Sequence, residues 1–210
     1  AGCTQTEPEP EPVPEVTYPT YADYVAAEIG AEVEVCTYVQ AHQSWWDEKV
    51  TVYTQDKDGA YFLYELPCSE EDAAKLVPGT KILVKGVKSE WAGEIEITES
   101  SFEFLEGDTF EATPVDVTAL AGNEDELAAH MNQLVTFTDC VVTEISYKES
   151  EYDPDIYVTT TVGETSITFC VENYLTNPDT EVYQTVAGLE VGATVDFTGF
   201  LYWYNGANPH

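Results

Sequence analysis

The sequence has no arginine and only seven lysines against 40 aspartates and glutamates, a formal net charge of −33 at pH 7. A face that holds phosphates needs clustered Arg and Lys to release counterions, and a field of this sign repels polyanions at long range, so the composition predicts no nucleic-acid partner. The one local gathering of positive charge, Lys81, Lys85 and Lys88, is expected to mark a lightly charged strand edge. Long apolar runs are missing too. No stretch reaches the roughly 18 residues that span a bilayer, so membrane attachment is expected only through lipid. Histidine is scarce: His42, His130 and His210 lie in separate segments, none with a Ser, Cys or carboxylate at triad-like spacing. A nucleophile elbow, a phosphate loop and a dinucleotide fingerprint are all absent. Carboxylates are so abundant that no pair of them singles itself out as a glycosidase pair. These gaps together predict a protein that is not an enzyme and carries no cofactor. Zinc spacing is absent as well, since no CxxC or HxxxH occurs.

What is present begins with Ala1-Gly2-Cys3, followed by alternating Glu and Pro from Glu7 to Glu15. Such a run is a stiff, self-repelling tether, and residues 1–20 are read as a stalk. Ala1-Gly2-Cys3 resembles the end of a bacterial lipoprotein signal, in which the Cys is diacylated. That resemblance implies a lipid on Cys3 and an extracellular chain held at a bacterial membrane. The acidity then reads as colloidal stability outside a cell, or as binding of multivalent cations or cationic partners. The remaining cysteines leave two readings open. Cys36 with Cys68 and Cys140 with Cys170 permit one bridge in each half, whereas Cys36 and Cys170 lie in apolar runs where a free thiol packs as a small hydrophobe.

The strongest pattern is an internal repeat. Tyr24-Val25-Ala26-Ala27 leads to Gly30 and the alternating run Glu32–Val35; Glu126-Leu127-Ala128-Ala129 leads to Asn132 and the run Leu134–Phe137. Each copy reads as a short helical turn, a residue that accepts positive φ, and a strand. Gly79, Gly86 and Gly93 are evenly spaced, and Gly192, Gly199 and Gly206 repeat that spacing. Between these blocks, Asp56-Lys57-Asp58-Gly59 separates two β-rich runs and predicts a hairpin, as does Gly163-Glu164 in the second copy. Ser69 opens a helix-compatible stretch through Leu76.

The motifs Leu76-Val77-Pro78-Gly79-Thr80-Lys81-Ile82-Leu83-Val84-Lys85-Gly86 and Leu189-Glu190-Val191-Gly192-Ala193-Thr194-Val195-Asp196-Phe197-Thr198-Gly199 resemble strand four of OB-like domains in bacterial extracellular proteins. The turn from Tyr53 to Gly59 resembles the strand-two to strand-three turn of the same family. The resemblance implies an all-β chain of two tandem OB-fold-like five-stranded Greek-key barrels, each with a short helix. The units are placed at 21–105 and 117–210, with 106–116 as linker. The second copy departs at its end, where Asn205 to His210 enter the expected fifth strand and stop.

In an OB-fold, ligands lie across strands two and three, between the loop after strand one and the loop joining strands four and five. Aromatics recur there. Trp45 and Trp46 occupy the first such loop and Trp91 the later one, while Tyr147 and Tyr152 answer in the second unit with Tyr202, Trp203 and Tyr204. With Tyr53 on strand two, the candidate ligand residues are Trp45, Trp46, Tyr53, Trp91, Tyr147, Trp203 and Tyr204. Such residues stack on ligands or anchor an interface; equally, they cap open barrel ends or pack the two units together. Asp56–Gly59, Asn123–Glu126 and Asp153–Asp155 offer oxygens but lack EF-hand spacing, and turn and helix-cap chemistry accounts for the first two, so no metal is expected. The expected function is a monomeric, non-catalytic, cell-surface binding lipoprotein with a glycan or protein ligand. Its alternatives are an accessory assembly component or an extracellular nuclease-associated module.

Overall fold

The computed structural model describes residues 2–12, 15–149 and 153–210. Helix α1 (Tyr21–Ala26) opens the first unit with a capping box: Thr20 Oγ1 accepts from the Asp23 amide at 3.2 Å and the Asp23 carboxylate accepts from the Thr20 amide at 2.7 Å. Strands β1 (Glu32–His42), β2 (Lys49–Gln55) and β3 (Ala60–Pro67) follow. The β2–β3 turn forms where Asp-Gly predicts it, with Asp56 Oδ1 accepting from the amides of Asp58 and Gly59. Helix α2 (Glu70–Lys75) is capped by Ser69, whose hydroxyl accepts from the Asp72 amide. Strands β4 (Lys81–Trp91) and β5 (Glu94–Phe104) complete a closed barrel of order β1-β2-β3-β5-β4, sealed by the parallel pairing of Leu63 with Ile97. That order is the OB-fold, and its core holds Val35, Val39, Leu63, Leu66, Ile82 and Val84.

After β5 the chain folds back on the barrel, with Gln40 bonding the backbone of Phe110 and Ala112, and enters β6 (Val115–Asp116), which pairs in parallel with β7. The second unit then runs α3 (Glu124–Ala128), β7 (Leu134–Tyr147), β8 (Ile156–Val162), β9 (Thr165–Val171), α4 (Glu181–Ala187) and β10 (Thr194–Phe200). Its strands repeat the first four of the barrel in the order β10-β7-β8-β9, with β6 attached to β7.

Two expectations are corrected here, and one open question is answered. Among the described residues the second unit is not a second closed barrel but an open sheet of order β10-β7-β8-β9, and residues 201–210 form no strand pairing along both β9 and β10. In its place the Pro209 carbonyl accepts from Cys170 on β9, and His210 exchanges both backbone hydrogen bonds with Phe200 on β10. Lys81, Lys85 and Lys88 do not lie on a sheet edge, since β4 pairs with both β1 and β5. Lys88 is buried, and its ammonium donates to the carbonyls of Tyr24, Val25 and Ala27, satisfying the end of α1. Burial pushes its pKa down. Finally, Cys36, Cys68, Cys140 and Cys170 are free thiols; burial raises all four, Cys140 to about 11 and Cys170 to about 12. Among the described residues no helix is long and apolar enough to cross a membrane.

Candidate functional site

The end of β10 and the residues that follow it turn aromatic side chains toward the first barrel. Phe200 stacks on Tyr53 of β2 with ring centroids 4.5 Å apart, Tyr202 packs edge-on against Phe62 of β3 at 5.5 Å, and Tyr204 lies 5.4 Å from Trp91. Trp203 is buried in the core of the second unit, and its indole fills the space beside Gly93, where a Cβ would come within 2.9 Å of the ring. Gly93 also holds a φ of +87°, which favours glycine. The short β4–β5 loop is thereby clasped: the Ala92 carbonyl accepts from Asn205, and the Ile95 carbonyl accepts from the Asn132 side chain.

Glu94 sits at the centre of this clasp, with none of its surface exposed. One carboxyl oxygen accepts from the Trp203 amide at 2.9 Å; the other, like Asn132 Oδ1, is buried without a partner. Burial pushes the Glu94 carboxyl up to about 9, against the opposing pull of Asn132 and the Trp203 amide. At neutral pH the group is therefore a neutral acid, whose proton supplies a donor that a carboxylate lacks.

At the mouth of the seam lies a cleft of about 320 Å³, lined by aromatic side chains from both units and by two carboxylates, with no lysine in its wall. Tyr53, Phe62, Tyr64 and Trp91 come from the first unit and Tyr202 from the second. Glu96 enters from β5 and Glu172 from the residue after β9. Several polar groups here lack partners. Among the described residues the Tyr53 hydroxyl, Glu172 Oε1 and His210 Nδ1 are buried with no hydrogen bond, and His210 Nδ1 stands 3.4 Å from Glu172 Oε2 without the alignment of one. Glu96 is 6% exposed; only burial and the charge of Glu65 act on its carboxyl, raising it to about 7. Two roomier hollows are chemically plainer. One, of about 530 Å³, is the mostly apolar gap between β9 and β10; the other, of about 640 Å³, lies beside Trp46 and shares Gln43 and Thr51 with the cleft.

The residues expected to bind ligand separate accordingly. Trp91 and Tyr53 line the cleft, and Tyr204 flanks it through Trp91. Trp46 lines the adjoining hollow, 71% exposed. Trp45 packs against the first core while its indole N–H donates to the Cys68 carbonyl, and Trp203 is core. Tyr147 stands apart, its hydroxyl 3.4 Å from the Ala187 carbonyl. Tyr152 falls outside the described residues. Sequence reasoning missed Glu96 and Glu172. Glu96 alternates with core-facing Ile95 and Ile97, so it reads as solvent-facing until the second unit covers that side.

No protein-family model and no curated protein matches the chain. Among solved structures, the Ifi202 HINa domain in complex with 20bp dsDNA is similar at a TM-score of 0.36 and 10% identity, over 67% of this chain and 77% of that one. The p204 HINb domain is similar at 0.39 and 8%, over 87% and 94%. A Replication Protein A heterotrimer bound to ssDNA is similar at 0.34 and 15%, over 85% of this chain and 49% of that one. These findings correct two expectations. A glycan or protein ligand is not what such chains are described with, and the exclusion of nucleic acid does not stand, since several of them are described with double- or single-stranded DNA. The physical flaw lay in treating a net charge, which sums over the whole chain, as a property of one face, whereas OB-type recognition of bases relies on local stacking surfaces. At these TM-scores and identities, none of the likenesses carries a ligand over to this chain.

Proposed function

We propose that the protein is a binding protein without catalysis of its own, taking a small organic cation into the cleft between its two units. The observation that carries this reading is the wall of the cleft: five aromatic rings and two carboxylates line it together with no lysine, and the one basic side chain in the lining, His210, lies beside Glu172 and not Glu96. An aromatic wall attracts a cation through the ring quadrupoles, with about 0.5–2 kcal/mol per well-placed ring depending on desolvation. A buried carboxylate without a counter-charge is costly, and a bound cation removes that cost. The same chemistry appears within the chain, where the Lys49 ammonium lies 5.6 Å from the Trp46 ring centroid and 3.3 Å from Glu65.

Isothermal titration with small ammonium and guanidinium salts tests the reading, alongside a single-stranded oligonucleotide. Saturable binding of a cation, weakened about tenfold or more by Trp91→Ala, supports it. Binding of the oligonucleotide with no cation bound overturns it. A lipid on Cys3, holding the chain outside a bacterial cell, belongs to the same proposal; the exposed Cys3 and the Glu-Pro stalk support it. Incorporation of a labelled fatty acid that persists in Cys3→Ser removes that part alone.

A further inference from the structure

The unpartnered groups in the cleft say which cation it suits. A quaternary ammonium satisfies an aromatic cage but offers no N–H, and would leave every orphaned acceptor here as it found it. Glu96 brings two carboxylate oxygens, Glu172 brings Oε1, and the Tyr53 hydroxyl and His210 Nδ1 stand unpaired beside them. Glu96 and Tyr53 are each more than nine-tenths buried. An ammonium has three donors radiating from one point, whereas a guanidinium has five in a plane, presents two of them in parallel to a carboxylate, and stacks its face on an aromatic ring. The cleft supplies both features together: acceptors from opposite units and aromatic rings in the same wall.

Resting on the reading above that the cleft takes a small organic cation, we infer that its ligand is a guanidinium compound, held between Glu96 and Glu172 against the aromatic rings. Glu96 is the residue that sets this specificity, because it is the more deeply buried carboxylate and, among the described residues, has no hydrogen-bond or ion-pair partner to compensate it. A site built to hydrogen-bond its ligand discriminates sharply against an analogue lacking the donors, since the buried acceptors are then left unpaired.

The test is titration calorimetry on the full chain with methylguanidinium, methylammonium and tetramethylammonium. Methylguanidinium is expected to bind at least tenfold more tightly than tetramethylammonium, with methylammonium between them. Glu96→Gln keeps the side-chain shape, and is expected to cut guanidinium affinity tenfold or more while changing tetramethylammonium binding less than threefold. Equal or tighter binding of tetramethylammonium overturns the inference but leaves the cation reading intact. Failure of all three salts to bind, with the thermal transition of the protein unchanged, overturns both. A capped arginyl tripeptide separates sources of the same chemistry: a free guanidinium compound is supported if the tripeptide binds no better than methylguanidinium, and tenfold tighter tripeptide binding overturns the small-molecule assignment.

Discussion

The two units follow one strand plan and differ in how it ends. In the first, β5 runs for eleven residues, pairs along β4 and reaches β3, so the barrel closes and no edge remains. In the second, the residues after β10 make only a few backbone bridges to β9 and β10. Phe200, at the end of β10, and Tyr202 and Tyr204 beyond it turn their aromatic side chains onto Tyr53, Phe62 and Trp91 of the first unit. The closed unit acts as platform and the open one as the arm that covers it. The contacts of residues 200–204 with the first barrel make the seam, bury Glu94 and wall the cleft.

The sharpest way to break this division is to remove the side chain that joins the two parts. Trp203→Ala is expected to cost about 3–5 kcal/mol, the range for truncating a buried aromatic residue, and to split a single unfolding transition into two as the units come apart. Leu63→Ala, deep in the closed barrel, is expected to cost about 2–5 kcal/mol while preserving one transition, because the seam is untouched. Differential scanning calorimetry distinguishes the two. A single transition in Trp203→Ala would show that the units are held together elsewhere.

Acidity offers a second handle on the seam. Glu94 is raised to about 9 and Glu96 to about 7, against an ordinary value of 4.5. The folded protein therefore holds protons that the unfolded chain has released, and its stability falls as pH climbs through that window. The contribution is complete below the ordinary carboxylate value and is lost as pH rises past 7 for Glu96 and past 9 for Glu94. Glu94→Gln, neutral throughout and still able to accept from the Trp203 amide, is expected to flatten the upper part of this decline. Urea midpoints measured at several pH values check it, and an unchanged slope in Glu94→Gln would place the titration on another group.

Much of the closed unit was legible from the sequence. The Asp56–Gly59 turn, the Ser69 cap and the Gly-led β4 are written in local chemistry, which needs no knowledge of distant residues. The seam was not legible, because Glu94 and Glu96 alternate with isoleucines as exposed acids do, and only a covering unit more than a hundred residues away makes them buried. Lys88 misled for a related reason: its three partners are carbonyls of α1, and backbone acceptors leave no mark on residue identity. Net charge misled most, since a sum over the chain says nothing about a face.

The open edge predicts a difference in local stability. Amides of β9 and β10 that face the unfilled gap are expected to exchange with solvent faster than those of β3 and β5 in the closed barrel, where both edges of each strand are paired. Hydrogen exchange followed by mass spectrometry resolves the two sets, and equal protection would mean that the bridges of Pro209 and His210 close the second unit as well as a strand does.

The smallest effect belongs to the residue that looked most like a binding site. Trp46 is 71% exposed, and Lys49, whose ammonium lies over its ring, also pairs with Glu65. Removing the indole takes away an exposed cation–π contact worth about 0.5–1 kcal/mol and little packing. Trp46→Ala is therefore expected to shift the urea midpoint by no more than that contact allows, while Trp45→Ala, packed against the first core and anchored by its N–H on Cys68, costs several times as much. Adjacent tryptophans would thus separate by packing and by one hydrogen bond. A large loss in Trp46→Ala would show that the exposed ring is tied into the seam after all.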